Sequence, residues 1–368
     1  MNQTTTAAST QSDYTLVDFC QIILRNISQV VLQNNVLSGA IILAAIFYHS
    51  LDFGLAALAG SIVATLTAMF LKTDHNLVKA GLYGFNGVLT AIAIIFYCET
   101  AFDAIDISWW MIAAYVFFGA VFSTVLTAAI GSMLSAANVP PLTAPFVLAS
   151  WLFVAGTHFS PALSPGHMNP PQTQARVVPS EEAAAKSDEV AAEDDDNDDD
   201  DNYGADTLLE GAGKGFGEIF FQDDAISGYL ILLAITINSR ISALMAFVGA
   251  LISIGVAESL HIGEIDIHMG MFSYSAILTA IAIGGLFYLL NLRGFVYTVF
   301  GIVFTTWLYA ALAAVLQPLH LPAYTAPFVL VTWIMLYSKS VFQGLVAIPP
   351  AEATTPEGNL QRYREAGR

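Results

Sequence analysis

The sequence predicts an all-α integral membrane protein made of two inverted homologous halves, each with five transmembrane helices and one shorter helix. Three observations predict this fold. Hydrophobic residues make up 56% of the 368 residues and charged residues only 11%, whereas an average soluble domain carries about 25% charged residues. Apolar runs such as 55–71 and 107–130 are long enough to cross roughly 30 Å of hydrocarbon as helices. Finally, the second half of the chain repeats the first.

The first half is assigned to residues 14–158, after a polar N-terminal tail at residues 1–13 that lacks the basic start of a secretory signal peptide. It opens with an amphipathic segment at about 14–33, which is too polar for a helix that simply faces lipid. Apolar spans follow at about 37–51, 55–71, 80–98, 107–130 and 143–158.

A proline-rich and acidic linker at residues 159–206 separates the halves. Between residues 176 and 206 there are 13 acidic and two basic side chains, a net charge of −11 out of −18 for the whole chain. A segment of this composition buries too little apolar surface to fold, so we expect it to be disordered. The acidity therefore describes one loop, and it indicates no nucleic-acid partner.

The second half is assigned to residues 207–345 and starts with a Gly-rich amphipathic segment at about 207–222. Its apolar spans lie at about 227–238, 241–256, 269–290, 294–316 and 325–338. A polar C-terminal tail follows at residues 346–368.

The internal repeat is visible as short blocks that recur in the same order. Residues 33–39 (QNNVLSG) match 222–228 (QDDAISG), 81–85 match 270–274, and 140–146 match 322–328. The first two pairs lie at an offset of 189 residues and the third at 182. Because five spans per half is an odd number, the second half must be inverted in the membrane relative to the first.

The basic residues predict the topology. With the N-terminus in the cytoplasm, eight of the 12 basic residues fall on the inner side, as the positive-inside rule requires. They are Lys72, Lys79, Arg240, Arg293, Lys339, Arg362, Arg364 and Arg368. We therefore expect a multi-pass protein of the cell (inner or plasma) membrane with both termini cytoplasmic and the acidic linker extracellular or periplasmic.

The halves of an inverted repeat tend to place a functional site at their interface near the bilayer midplane. Gln29 and Glu218 occupy equivalent positions in the two amphipathic segments, and each offers side-chain oxygens in an apolar setting. Polar groups inside a membrane are expensive and usually functional. The alternative is that both face lipid headgroups.

Thr143 and Thr325 each lie two residues before a proline and just after Pro140, Pro141 or Pro322. Prolines leave backbone carbonyls without helical partners, so a row of free carbonyls beside a threonine hydroxyl would form an acceptor-rich edge for a solute with several N–H donors. The threonines can equally act as helix N-caps, which is compatible with that role.

Phe85 with Leu89, and Tyr274 with Leu278, are spaced four residues apart, so each pair shares one face of a helix. Two such faces could form a flat apolar slot for a thin planar molecule. Ordinary helix packing explains these four residues equally well.

No residue set for catalysis, for a metal ion or for a cofactor is evident. The chain lacks a phosphate-binding loop and metal-ligand spacing. Its two cysteines, Cys20 and Cys98, are read as packing residues. Few ionisable groups lie inside the apolar spans, where an ion-coupled pump commonly needs them.

The repeated blocks resemble the urea transporter family. The family's Leu-Pro-x-x-Thr-x-Pro-Phe signature is intact at Leu321–Phe328 and occurs at Val139–Phe146 with valine for the leading leucine. The resemblance covers nearly the whole chain apart from the termini and the linker. It implies a membrane-embedded homotrimer with one pore per subunit between the two halves, where the shorter amphipathic helix of each half lines the pore.

The resemblance also implies roles for single residues. Gln29 and Glu218 would end two ladders of oxygens, Thr143 and Thr325 would bracket the narrow middle, and the slot walls would be Phe85, Leu89, Tyr274 and Leu278, extended by Leu32 and Phe221. Two positions depart from the family pattern: Tyr274 replaces a phenylalanine and Leu32 an aromatic residue. Both departures bear on the choice of solute.

The function predicted is passive transport of urea, with ions excluded. Three alternatives stay open at this point. They are a pore of the same build for another small amide or ammonia, a proton-coupled carrier that uses Glu218, and a sensor or scaffold that transports nothing.

Overall fold

The computed structural model describes residues 14–102, 109–157 and 205–367, and within these ranges the chain is almost entirely helical. The only β pairing among them is one isolated bridge between Tyr288 and Ala347. The all-α prediction is confirmed. The predicted polar tail at 1–13, and all but the last residues of the predicted linker at 159–206, lie outside the described residues.

The helices of the first half follow the predicted apolar runs. They are α1 (Leu16–Gln29), α2 (Val36–His49), α3 (Leu51–Phe70), α4 (His75–Lys79), α5 (Phe85–Phe102), α6 (Trp109–Leu134) and α7 (Ala144–Thr157). Polar caps separate the first three: the side chains of Thr15, Asn35 and Ser50 accept hydrogen bonds from backbone N–H groups of the first turn that follows.

The second half repeats this order. Its helices are α8 (Ala205–Gly217), α9 (Ala225–Asn238), α10 (Arg240–Ser259), α11 (Glu264–His268), α12 (Tyr274–Ile281), α13 (Leu292–Leu316), α14 (Ala326–Tyr337) and α15 (Pro356–Glu365). Asp224 and Ser239 cap α9 and α10 at the positions that correspond to Asn35 and Ser50.

The backbone itself carries the repeat. Left-handed conformations at equivalent positions have nearly equal φ angles. The pairs are Leu32 and Phe221 (61° and 62°), Lys72 and His261 (55° and 54°), Gly81 and Gly270 (78° and 76°), Asn138 and His320 (50° and 52°), and Leu142 and Tyr324 (52° and 47°). Non-glycine residues adopt this region rarely, so the four matched pairs without glycine indicate that the two halves share one chain path.

Glycine allows the amphipathic helix of each half to lie directly on the next helix. A Cβ at Gly39 would stand 1.9 Å from the carbonyl oxygen of Leu24, and a Cβ at Gly228 would stand 1.8 Å from that of Gly213. Neither position leaves room for a side chain, so α1 packs backbone to backbone on α2, and α8 on α9.

The two halves join along α2 and α9. Ser38 Oγ donates to the carbonyl of Ala234 at 2.7 Å, and its counterpart Ser227 Oγ lies 3.4 Å from the carbonyl of Ala45. One continuous core of buried apolar side chains runs through both halves. The contacts along α2 and α9 therefore lie within a core that both halves share.

Helix length separates two kinds of element among the described residues. Four helical stretches are long and apolar enough to cross a membrane: Leu51–Phe70, Trp109–Ala137, Arg240–Ser259 and Leu292–Leu319. A fifth candidate is the pair Leu208–Phe220 and Ala225–Asn238, whose axes meet at 76°. The other apolar helices are shorter; α7 and α14 have 14 and 12 residues, or about 21 and 18 Å. That each half crosses the membrane five times with full-length helices therefore stays a prediction.

One sequence assignment needs correction. The span expected at 269–290 is instead a turn, the short helix α12, and a distorted turn over Ala282–Leu286 in which Gly284 and Gly285 leave helical geometry. The polar C-terminal tail contains α15, whose Asn359 is buried against this break. Adjacent glycines explain the break, since they resist helix formation.

Candidate functional site

The two signature threonines meet at the centre of the molecule. Thr143 Oγ1 and Thr325 Oγ1, 182 residues apart, are 2.7 Å from each other, and both side chains are buried. Each threonine immediately precedes a short helix, α7 or α14, so the first turns of these helices converge. The sequence predicted both residues for one site, and the structure brings them into direct contact.

A reciprocal pair of tryptophans fixes the segments that precede the threonines. Trp151 Nε1 donates to the carbonyl of Pro322 at 2.7 Å, and Trp333 Nε1 donates to the carbonyl of Pro140 at 2.9 Å. Each half thus supplies the donor for the proline segment of the other half. Proline lacks a backbone N–H donor but keeps its carbonyl acceptor. The carbonyls of Pro322 and Pro140 each accept a hydrogen bond from a tryptophan of the other half.

The carbonyl next to each threonine is also engaged. Asn86 Nδ2 donates to the carbonyl of Leu142 at 3.2 Å, and the hydroxyl of Tyr274 donates to the carbonyl of Tyr324 at 2.7 Å. The expectation of free carbonyls therefore needs correction. A carbonyl oxygen has two lone pairs, so that of Leu142 retains one acceptor site after its bond to Asn86. The carbonyl of Tyr324 has a second internal donor, since Ser275 Oγ lies 3.4 Å from it.

A small cavity lies beside the threonine pair on the second-half side. Its lining residues are Phe146, Glu218, Ile219, Phe221, Tyr274, Pro322, Ala323, Tyr324 and Thr325. The cavity has a volume of about 20 Å³, which is about the space that one water molecule needs. Four predicted site residues, Glu218, Phe221, Tyr274 and Thr325, line this cavity together.

Gln29 and Glu218, predicted as equivalents, are both 9% exposed. Gln29 Nε2 donates to the carbonyl of Ala80 at 2.9 Å, so this amide is held against the turn that precedes α5. Its amide oxygen stays available as an acceptor. Glu218 follows the last residue of α8 and contributes its carboxyl group to the cavity wall.

The remaining predicted residues lie away from that cavity. Phe85 is 6% exposed, whereas Leu89 and Leu278 are completely buried in the core. Leu32 occupies the left-handed position that corresponds to Phe221 and packs partly buried against the same core. The hydroxyl by which Tyr274 differs from the family's phenylalanine donates to the carbonyl of Tyr324.

Sequence reasoning missed two aromatic residues of the cavity, Phe146 and Tyr324. Their rings are 5.0 Å apart, and the ring of Tyr324 is 5.9 Å from that of Phe221. Both lie inside the repeated Thr-Pro block, so the signal was present.

No group of three or more potential metal-ligating side chains occurs in the part of the chain that the structure describes. The polar atoms at the threonine pair and the cavity are hydroxyl, carbonyl, amide and carboxyl groups. They suit hydrogen bonding to a small neutral solute.

Comparison with known proteins places these features in a family. A family model described as "Urea transporter" matches residues 20–340. The chain is 29% identical over 352 residues to urea transporter 1 of Ovis aries, an alignment that covers 95% of this chain and 85% of that protein. Urea transporter 1 of Rattus norvegicus is 28% identical over 348 residues, with coverage of 95% and 84%.

Proposed function

This chain belongs to the urea transporter family, and we propose that it conducts urea passively through a pore between its two halves. The observation that carries the proposal is the threonine pair. Thr143 and Thr325 come from equivalent blocks, one in each half, and their hydroxyls meet at 2.7 Å. A transport site on the axis that relates two repeats would be built from such a pair.

The proposed route runs past Gln29 and Glu218 toward the threonines. A urea molecule offers four N–H groups and one acceptor oxygen, and it loses bonds to water when it enters. The free lone pair of the Leu142 carbonyl and the oxygens of the threonine hydroxyls can replace them, at roughly 0.5–1.5 kcal/mol net for each bond. Because the threonine oxygens are in contact, urea would pass beside the pair.

Ions are excluded because the aromatic part of the passage cannot replace the water that an ion loses, and Glu218 is the single carboxyl group in the cavity lining. Phe146, Phe221 and Tyr324 line the cavity with apolar rings, and burying an unpaired ion in such surroundings carries a far larger penalty than burying a neutral amide. The weak individual bonds also let urea leave, as conduction requires.

The inverted arrangement is part of the proposal. Its support is the reciprocity of the contacts: Trp151 and Trp333 exchange bonds with the opposite proline segments, and Ser38 and Ser227 exchange contacts along α2 and α9. Such exchange is the pattern of a twofold relation between halves. A multi-pass position in the cell membrane with cytoplasmic termini, and a trimer with one pore per subunit, complete the proposal.

Urea efflux from proteoliposomes tests the function. Stopped-flow light scattering should show fast flux of urea down its gradient for the wild type, and slower flux for Thr143→Val and for Glu218→Gln. The control is Thr67→Val: this threonine bonds to the carbonyl of Val63 within α3, and the variant should transport like the wild type.

Other outcomes identify the alternatives. No urea flux from well-inserted wild-type protein would exclude urea and direct the assay to other amides and ammonia. Accumulation of urea above equilibrium under a proton gradient, abolished by Glu218→Gln, would replace passive conduction by proton coupling.

A further inference from the structure

We propose that Tyr324 is a specificity-determining residue whose ring sets the width of the second-half compartment of the pore and excludes amides bulkier than urea. This inference rests on the proposed function and adds a side chain that the family signature leaves variable. The compartment is the cavity beside the threonine pair, lined by Glu218, Phe221 and Tyr274 together with Tyr324 itself.

The ring of Tyr324 occupies a central place in this compartment. It has aromatic neighbours on three sides, with ring centroids 5.0 Å away at Phe146, 5.9 Å at Phe221 and 6.3 Å at Tyr97. These separations are those of favourable edge-to-face and tilted pairs. The ring is therefore held in place by packing, while its own position beside Thr325 puts it on the route.

The equivalent position in the first half is Leu142, which has no ring. Leu142 and Tyr324 have the same left-handed backbone, with φ of 52° and 47°, and each directly precedes its signature threonine. The two sides of the threonine pair thus differ in bulk at this matched position, as they also do at Leu32 and Phe221. The proposed pore should therefore be narrower on the side of Glu218 than on the side of Gln29, and Tyr324 contributes to this difference.

The matched backbone makes the substitution a clean one. Leu142 shows that leucine accepts this left-handed conformation at this place in the fold. Tyr324→Leu should therefore change side-chain volume without new backbone strain. The bond from Tyr274 should survive, because it goes to the backbone carbonyl of residue 324.

The test compares the permeability of N-methylurea with that of urea in the same proteoliposomes. Tyr324→Leu should raise this ratio by about threefold or more, a modest part of the roughly 10–200-fold that one methylene can decide in a fitted apolar pocket. Tyr324→Phe retains the ring and should leave the ratio at the wild-type value. A second variant, Tyr324→Met, should raise the ratio as the leucine variant does, and it decides the question if Tyr324→Leu fails to insert.

The control is Tyr288→Leu, which removes another buried tyrosine ring that lies outside the cavity and should leave the ratio unchanged. An unchanged ratio in the leucine or methionine variant, with urea flux retained, overturns the inference and leaves urea transport standing. If the proposed function is wrong, the wild-type protein itself will show no urea flux. Failure of the proposed function is therefore distinguishable from failure of this inference.

Discussion

The hydroxyls of Thr143 and Thr325 share one short hydrogen bond in a buried position. A threonine hydroxyl has one hydrogen and two acceptor sites. One hydroxyl donates to the other, which leaves the second hydrogen and the remaining lone pairs for a solute or a nearby carbonyl. The pair can therefore serve an N–H donor or a carbonyl acceptor, and urea has both.

A double-mutant cycle tests this pairing. Thr143→Val and Thr325→Val keep the shape of the side chain and each leave the other hydroxyl buried and unpaired, at about 1–3 kcal/mol of unfolding free energy. The double variant should lose clearly less than the sum of the single losses, because no unpaired group remains. Unfolding in detergent measures the three differences. Strictly additive losses of unfolding free energy would show that the two hydroxyls do not depend on each other. The control is Thr143→Ser, which keeps the hydroxyl and should behave like the wild type.

At this scale the sequence predicted that Thr143 and Thr325 belong together, but not how they are arranged. The repeated block identified them because the same motif occurs once in each half. Their contact distance depends on how deeply α7 and α14 are drawn together, and no local pattern encodes that. Tyr324 was missed because the direction of its ring follows from a left-handed φ that tyrosine rarely adopts.

At the scale of elements, the C-terminal segment supplies hydrogen bonds to a helix break. The break follows α12, whereas the equivalent helix of the first half, α5, is continuous. After α12 the chain leaves helical geometry at Gly284 and Gly285. Asn359 of α15 donates through Nδ2 to the carbonyls of Gly285 at 2.8 Å and Leu286 at 3.2 Å. These carbonyls have lost their helical partners, and a single buried amide satisfies both.

Replacing that amide should destabilise the protein. Asn359→Leu keeps a similar volume but removes both donors, so two carbonyls lose a partner and we expect a loss of about 1–3 kcal/mol. Thermal unfolding of the full chain in detergent measures it. Gln361→Leu is the matched control, because Gln361 is exposed on the same helix and bonds only to exposed Glu365. Equal losses in the two variants would contradict a specific role for Asn359.

Sequence patterns predicted where elements begin more reliably than where they are interrupted. Ser50 and Ser239 separate paired helices by capping, and this signal is local. The helix breaks at Gly284, but the apolar character of the sequence continues through this position. Hydropathy alone therefore predicts one span over residues 269–290. The partner that tolerates the break, Asn359, lies more than 70 residues further along the chain, beyond the reach of any local pattern.

At the scale of the whole molecule, the composition was sufficient to predict an all-helical protein with several apolar helices, and the division into two inverted halves stays a prediction from the repeat. What the sequence could not supply is the set of contacts that lock the halves together. Two of them, Trp151 to Pro322 and Trp333 to Pro140, cross the centre in opposite directions. Because they are equivalent by the repeat, they should contribute equally to the stability of the assembled halves.

Removing the indole donors one at a time tests whether the two halves are locked symmetrically. Trp151→Phe and Trp333→Phe each retain an aromatic ring and lose one N–H bond, so each should lower the unfolding free energy by about 0.5–1.5 kcal/mol, and the two losses should agree within about 0.5 kcal/mol. Chemical unfolding in detergent provides the measurement. Trp307→Phe is the control, because Trp307 is half exposed on α13 and its replacement should be nearly neutral. A large loss for one central tryptophan and none for the other would mean that one half alone fixes the interface, and the twofold lock would have to be abandoned.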